Sequence, residues 1–90
     1  MNKESSMIWL NTFGNVNEAR DYAGRIVVRS AYNTRNSGYG WNVDHVRPIS
    51  DGGTNMACNK IACHILTNEQ KGDLFPHWTA NNKRFKAIRA

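Results

Sequence analysis

Five polar residues in the second half of the chain form a set that can do chemistry: Asp44 with His45 beside it, then Asn59, Asn68 and Lys71. A carboxylate offers a hard cation an oxygen ligand, and a side-chain amide offers another. An imidazole, which titrates near ~6.5 when unperturbed, can move a proton at physiological pH. A lysine one helical turn past the amide can neutralise a phosphate. Singly, each residue is more often structural. A histidine near a strand end is usually hydrogen-bonded in place, a loop asparagine forms a turn, and a lysine late in a helix serves the dipole. Spacing and surroundings give the combination its weight.

The elements that must hold these residues can be read around them. Residues 41–46 alternate, with Trp41, Val43 and His45 on one face and Asn42, Asp44 and Val46 on the other, as a strand requires. Pro48 and the run Asp51-Gly52-Gly53-Thr54 force a wide turn. Residues 59–66 read as a second extended segment. Thr67 with Gln70 three residues later is a capping-box pattern that predicts a short helix from Asn68, stopped by Gly72. The order is strand, wide loop, strand, helix. Upstream, residues 7–13 read as a short strand, and Asn15 or Asn17 caps a brief helix over residues 18–22 that Gly24 ends. The β-branched run Ile26-Val27-Val28 marks a strand over 25–28, and residues 33–40 read as loop. Downstream of Pro76, Trp78, Phe85 and Ile88 offer apolar anchors, with residues 78–88 open between helix and strand. The fold class expected is α+β, one small domain of short elements.

The segment Val43-Asp44-His45-Val46-Arg47-Pro48-Ile49-Ser50-Asp51-Gly52-Gly53-Thr54, followed by Asn59 and by Thr67-Asn68-Glu69-Gln70-Lys71-Gly72-Asp73, resembles the HNH endonuclease family. The resemblance covers about residues 38–73, under half of the chain. It implies a ββα-metal core, in which two strands, a wide loop and a helix clamp one divalent ion, and it implies cleavage of DNA. In that reading His45 is the general base, and Asp44 and Asn68 supply oxygen ligands. Asn59 holds the loop and orients His45, and Lys71 neutralises the scissile phosphate. Two protein oxygens with waters and substrate phosphate suit Mg²⁺ or Mn²⁺. Where many relatives end the motif with a histidine ligand, this chain has Asn68 and then Gly72, which places it with the HNN variant. Relatives braced by zinc carry two Cys-x-x-Cys pairs. Here Cys58, Cys63 and His64 are too cramped for a tetrahedral site, so no structural zinc is expected and both cysteines read as buried or half-buried thiols.

Ninety residues limit the chain to one domain, and 12 Lys+Arg against 7 Asp+Glu give a charge of +5. The excess lies on the flanks. Residues 1–40 hold five basic and three acidic groups, residues 41–66 two of each, and residues 67–90 five and two. A balanced centre suits a cation, and basic flanks suit phosphates. Lys83, Arg84 and Lys86, with Arg89 and with Arg47 nearer the centre, are candidate DNA contacts. His64 is placed with them, although capping of the second strand is its other reading. Arg20, Arg25, Arg29 and Arg35 would extend the groove, whereas Trp9, Trp41 and Trp78 read as core. No apolar run reaches the roughly 20 residues of a membrane span, no secretory pattern is seen, and two cysteines do not make a disulfide scaffold. A cytoplasmic setting, in a bacterial or phage-infected cell, is expected. A cutting module this small has little surface for reading sequence, which points to nicking, a homodimer or a targeting protein partner. The alternative is a non-catalytic module on the same scaffold, binding nucleic acid or inhibiting another protein as a phage or mobile-element accessory.

Overall fold

The computed structural model describes residues 1–88. Arg89 of the expected basic tail lies outside the described residues. Two helices and three two-stranded antiparallel ribbons form a small α+β domain. No helix among the described residues is long and apolar enough to cross a membrane.

Helix α1 spans Lys3–Phe13, and its start is fixed by Asn2, whose side chain accepts from the Ser5 N–H at 2.7 Å. The short strand expected over residues 7–13 is therefore part of a helix. Four consecutive apolar residues, Met7 to Leu10, hid the helical period. Only Ile8 and Trp9 of that run are buried, while Met7 and Leu10 face outward. Ile8 and Trp9 join Val27, Trp41 and Ala62 in the core, with Phe13, Tyr32 and Val43 packed around them. Trp9 stacks at a tilt on Trp41, centroids 4.9 Å apart, and both indole N–H groups donate to carbonyls, of Val16 and Arg29 respectively.

The brief helix expected over residues 18–22 is instead strand β1, Glu18–Arg20, paired with β2, Ile26–Val28. The turn between them is built on buried Asp21. Its Oδ1 accepts from the backbone N–H groups of Ala23 and Arg25, and its Oδ2 from that of His64. One carboxylate thus closes the turn and ties it to the other half of the molecule.

Strand β3, Trp41–His45, pairs with β4, Lys60–His64, in the register His45↔Lys60 to Trp41↔His64. The wide loop between them needs Gly53, where any Cβ would run into the Arg47 carbonyl. Helix α2, Ile65–Lys71, follows β4 directly. It begins three residues before the expected start. His64 is the cap, its Nδ1 accepting from the Leu66 N–H, and Thr67 and Gln70 do not form a capping box. Both instead accept hydrogen bonds from the Arg25 guanidinium, which fixes α2 against the first ribbon. Gly72 ends the helix with φ 53, as expected.

The segment left open between helix and strand is a hairpin. Strands β5, His77–Ala80, and β6, Lys83–Lys86, are joined by Asn81 and Asn82, with φ of 52 and 62. Two positive φ values in a two-residue loop match the twist of the strands they connect. Trp78 and Phe85 pair across the ribbon and pack on Tyr22, away from the main core.

Candidate active site

Strand β3 has two working faces. Trp41 buries its ring against α1, and two residues apart on the other face Asn42 and Asp44 meet α2. Asn68 stands on the facing side of α2 and donates from Nδ2 to Asn42 Oδ1 at 2.8 Å. This bond orients the Asn68 amide, and its Oδ1 takes no hydrogen bond from the described residues. Asp44, His45 and Asn68 line one cleft of about 410 Å³, closed by Pro48, Ile49 and Ser50 of the wide loop and by Asp73.

Asp44 is 7% exposed. Lys71 Nζ forms an ion pair with its Oδ2 at 3.2 Å, and no other donor reaches this buried oxygen among the described residues. Burial pushes the Asp44 carboxyl above its usual 3.8. The Lys71 ammonium opposes the rise, and Asp73 adds to it. The Asp44 Oδ2 faces the Lys71 ammonium, which supplies the counter-charge a buried carboxylate requires. Toward the cleft, Asp44 and Asn68 offer one carboxylate and one amide as a donor set. Mg²⁺ and Mn²⁺ accept such a set when waters and phosphate complete the shell, so these residues fit the ion. No three His, Cys, Asp or Glu side chains converge as a metal site among the described residues, at this cleft or elsewhere.

Asn59 is 7% exposed and ties the mouth of the wide loop. Its Oδ1 accepts from the Arg47 N–H at 2.9 Å, and its Nδ2 donates to the carbonyls of Arg47 and Thr54 at 3.0 and 2.8 Å. An amide suits this place because it can donate and accept at once. His45 is half-buried, and its Nε2 lies 2.9 Å from Asn55 Oδ1 across the loop.

Two expected roles, those of Lys71 and His64, are corrected by the geometry, and Lys83 is exposed but tied at its ammonium. Lys71 does not reach the cleft, being 1% exposed. Its ammonium donates to the His45 carbonyl at 3.2 Å, balances Asp44 and lies 5.2 Å from the Trp78 ring centroid. It holds Asp44 rather than a phosphate. His64 is buried at 6%, with Nε2 against the Gly38 carbonyl and Nδ1 capping α2, so both nitrogens are used and neither faces solvent. Lys83 Nζ donates to the Ala23 carbonyl at 3.0 Å, which pins the hairpin to the first ribbon.

The remaining basic candidates differ among themselves. Arg84 and Lys86 project from the face of β6 opposite Phe85, both exposed. The Arg47 Nε donates to the Asp51 carbonyl, and its guanidinium covers the Phe75 ring. Arg25 and Arg29 are committed to Thr67, Gln70 and Asn15, and Arg35 pairs with Glu69. Of the two thiols, Cys63 is buried, which pushes its pKa up, and Cys58 is exposed, contrary to expectation. Trp9 and Trp41 are core as expected, while Trp78 covers Lys71.

Asn42, Asn55 and Asp73 were missed by sequence reasoning. Only Asp73 had a local signal, since it falls just past the helix stop on the run from Asn68. Asn42 was placed on the Asp44 face of the strand, but its partner across 26 residues was not legible. Comparison of the chain with protein-family models, with curated proteins and with solved structures finds no match.

Proposed function

We propose that the chain is a metal-dependent endonuclease that hydrolyses DNA phosphodiester bonds. The observation that supports the proposal is the meeting of Asp44, the unengaged Asn68 amide oxygen and His45 in the lining of one cleft. The order of β3, wide loop, β4 and α2 is in keeping with the HNH resemblance. A divalent ion held by Asp44 and Asn68 would supply neutralisation of phosphate charge and stabilisation of the leaving 3′ oxygen. His45 takes the proton of the attacking water. Asn59 keeps the loop closed so that His45 stays at the cleft, and Lys71 balances the Asp44 carboxylate from behind. Both thiols are free, in keeping with the cytoplasmic setting this reading assigns. A domain this small would nick, dimerise or be directed by a partner protein.

Supercoiled plasmid incubated with the protein should become nicked circle in Mg²⁺ or Mn²⁺ and stay supercoiled in EDTA. Retardation of the DNA with no nicking in either ion would sink the enzyme reading and leave a non-catalytic binding module.

Arg84 and Lys86 are the strongest candidates for backbone contacts, because their cations have no partner among the described residues. Replacing Lys83, Arg84 and Lys86 with glutamine should flatten the slope of log affinity against log salt by about 2, at roughly 0.9 per phosphate contact. The third charge adds little, since the Lys83 ammonium already serves the Ala23 carbonyl. Binding titrations between low and moderate salt read this directly. An unchanged slope would reassign the hairpin to solvent.

A further inference from the structure

We infer that the pocket between the β5–β6 hairpin and the β3–β4 ribbon takes one unpaired nucleobase of a nucleic-acid strand. The inference deepens the function proposed above and rests on its DNA-binding part, not on cleavage.

The pocket has a volume of about 190 Å³. Tyr22, Trp78 and Phe85 form an aromatic wall, and Val46 and Ile61 line the pocket from the ribbon. An apolar cavity of about 150 Å³ admits benzene, so this space suits a single flat ring system. Trp78 and Phe85 lie 29° from parallel, and Tyr22 stands edge-on to them at 89° and 87°. Trp9 and Trp41 of the main core are fully buried, whereas the three aromatic residues here, with Val46 and Ile61, are only half-buried. The cluster is an apolar surface within reach of a ligand.

Two features favour a nucleobase over another flat apolar ring. The Tyr22 hydroxyl accepts from Trp78 Nε1 at 3.0 Å, and its own proton has no acceptor among the described residues. Burial pushes this hydroxyl above its ordinary value, so it stays a donor. The edge of every base carries acceptors, at ring nitrogens or carbonyl oxygens. The second feature is charge. Lys86 lines the pocket, and Arg84 lies two residues before it on the same face of β6, both exposed. A base brings phosphates with it, and these two cations are placed to meet them. Stacking on aromatic side chains tolerates any sequence, because every base has a π-face. A paired base inside a duplex is stacked on its neighbours, so the pocket selects an unpaired one. Asp44 lines both this pocket and the cleft of His45 and Asn68, which sets a bound base next to the candidate cleavage site.

The test measures binding of the full chain to a labelled single strand by fluorescence polarisation. EDTA keeps cleavage out of the measurement, and raised salt weakens the phosphate contacts. Two probes of equal length are compared, a strand of mixed sequence and one built of abasic sugars. The parent should bind the base-bearing strand about 5- to 150-fold more tightly, the span of one base–aromatic stack. Phe85→Leu removes a ring, and Ile61→Phe fills the space while leaving the aromatic wall intact. Each should bring the two affinities together, with circular dichroism showing the fold kept. Ile61→Phe decides the matter if Phe85→Leu does not fold.

Equal affinity of the parent for the two strands overturns the inference and leaves the pocket to an apolar side chain of a partner protein. Undiminished discrimination in the folded variants overturns it as well. Plasmid nicking is scored apart from this. A parent that nicks without discriminating keeps the nuclease reading and loses the base pocket, and a parent that discriminates without nicking does the reverse.

Discussion

His45→Ala should abolish plasmid nicking in Mg²⁺ while leaving the fold and the affinity for DNA nearly intact. A positioned general base contributes about 10²–10⁴-fold, so the loss should exceed that of any other single change at the cleft. The fold should survive because His45 is held in β3 by backbone pairing with Lys60, and its ring meets only Asn55 on the loop. Affinity should survive because the charges that grip phosphate lie elsewhere, on Arg84 and Lys86. Circular dichroism, a binding titration and a nicking time course on one preparation separate the three quantities. Affinity falling in step with nicking would make His45 a binding residue, and undiminished nicking would remove it from the site.

Lys71→Met should produce the largest loss of stability. Methionine keeps the apolar stem against Trp78 but leaves the Asp44 carboxylate buried without its ammonium. Breaking a buried ion pair from one side costs about 3–5 kcal/mol. Small domains have only about 5–15 kcal/mol in total, so much of the native margin would go. The effect depends on pH in a definite sense. Burial already raises the Asp44 carboxyl above 3.8, and without Lys71 it rises further. Between 3.8 and that higher folded value the native chain binds more protons than the unfolded one, so stability falls as pH rises through the interval. The cost should therefore be greatest near neutrality and shrink on acidification toward 3.8. Adding Asp44→Asn to Lys71→Met should recover part of the loss. Urea unfolding of the three variants at two pH values decides it. A cost under about 1 kcal/mol would mean that the pair behaves as a solvated one.

What could be read from the sequence was governed by range. Strand β3 was legible because alternation is local, and the Gly72 stop because a glycine at a helix end acts alone. Helix α1 was not, since its apolar residues are contiguous and its cap, Asn2, precedes them by five positions. Strand β1 looks helical in isolation and is extended only because β2 supplies its partner, eight residues away at Ala19↔Val27. The capping-box pattern at Thr67 misled because the same two side chains satisfy Arg25, more than 40 residues upstream. Within the site, Asp44, His45 and Asn68 were legible as types at a spacing, and the structure brings them to one cleft. The position of Lys71 was not, because its burial depends on Trp78 folding over it from β5. Helical spacing put its charge on the Asn68 side, but tertiary packing decided what the charge meets.

Among the described residues none of the three ribbons has a third strand, and apart from the single bridge of Trp41 to Tyr32 each strand is an edge. An edge exposes unpaired N–H and C=O groups on which another chain can build. Ribbon β5–β6, packed at the margin of the domain, offers such a template for self-association. Along β6 the residues are Lys83, Arg84, Phe85 and Lys86, and a like strand laid beside them would bring positive charges together. The basic residues of β6 thus disfavour edge-to-edge pairing of copies through this strand. Exchanging its charges for apolar residues would show first as loss of solubility.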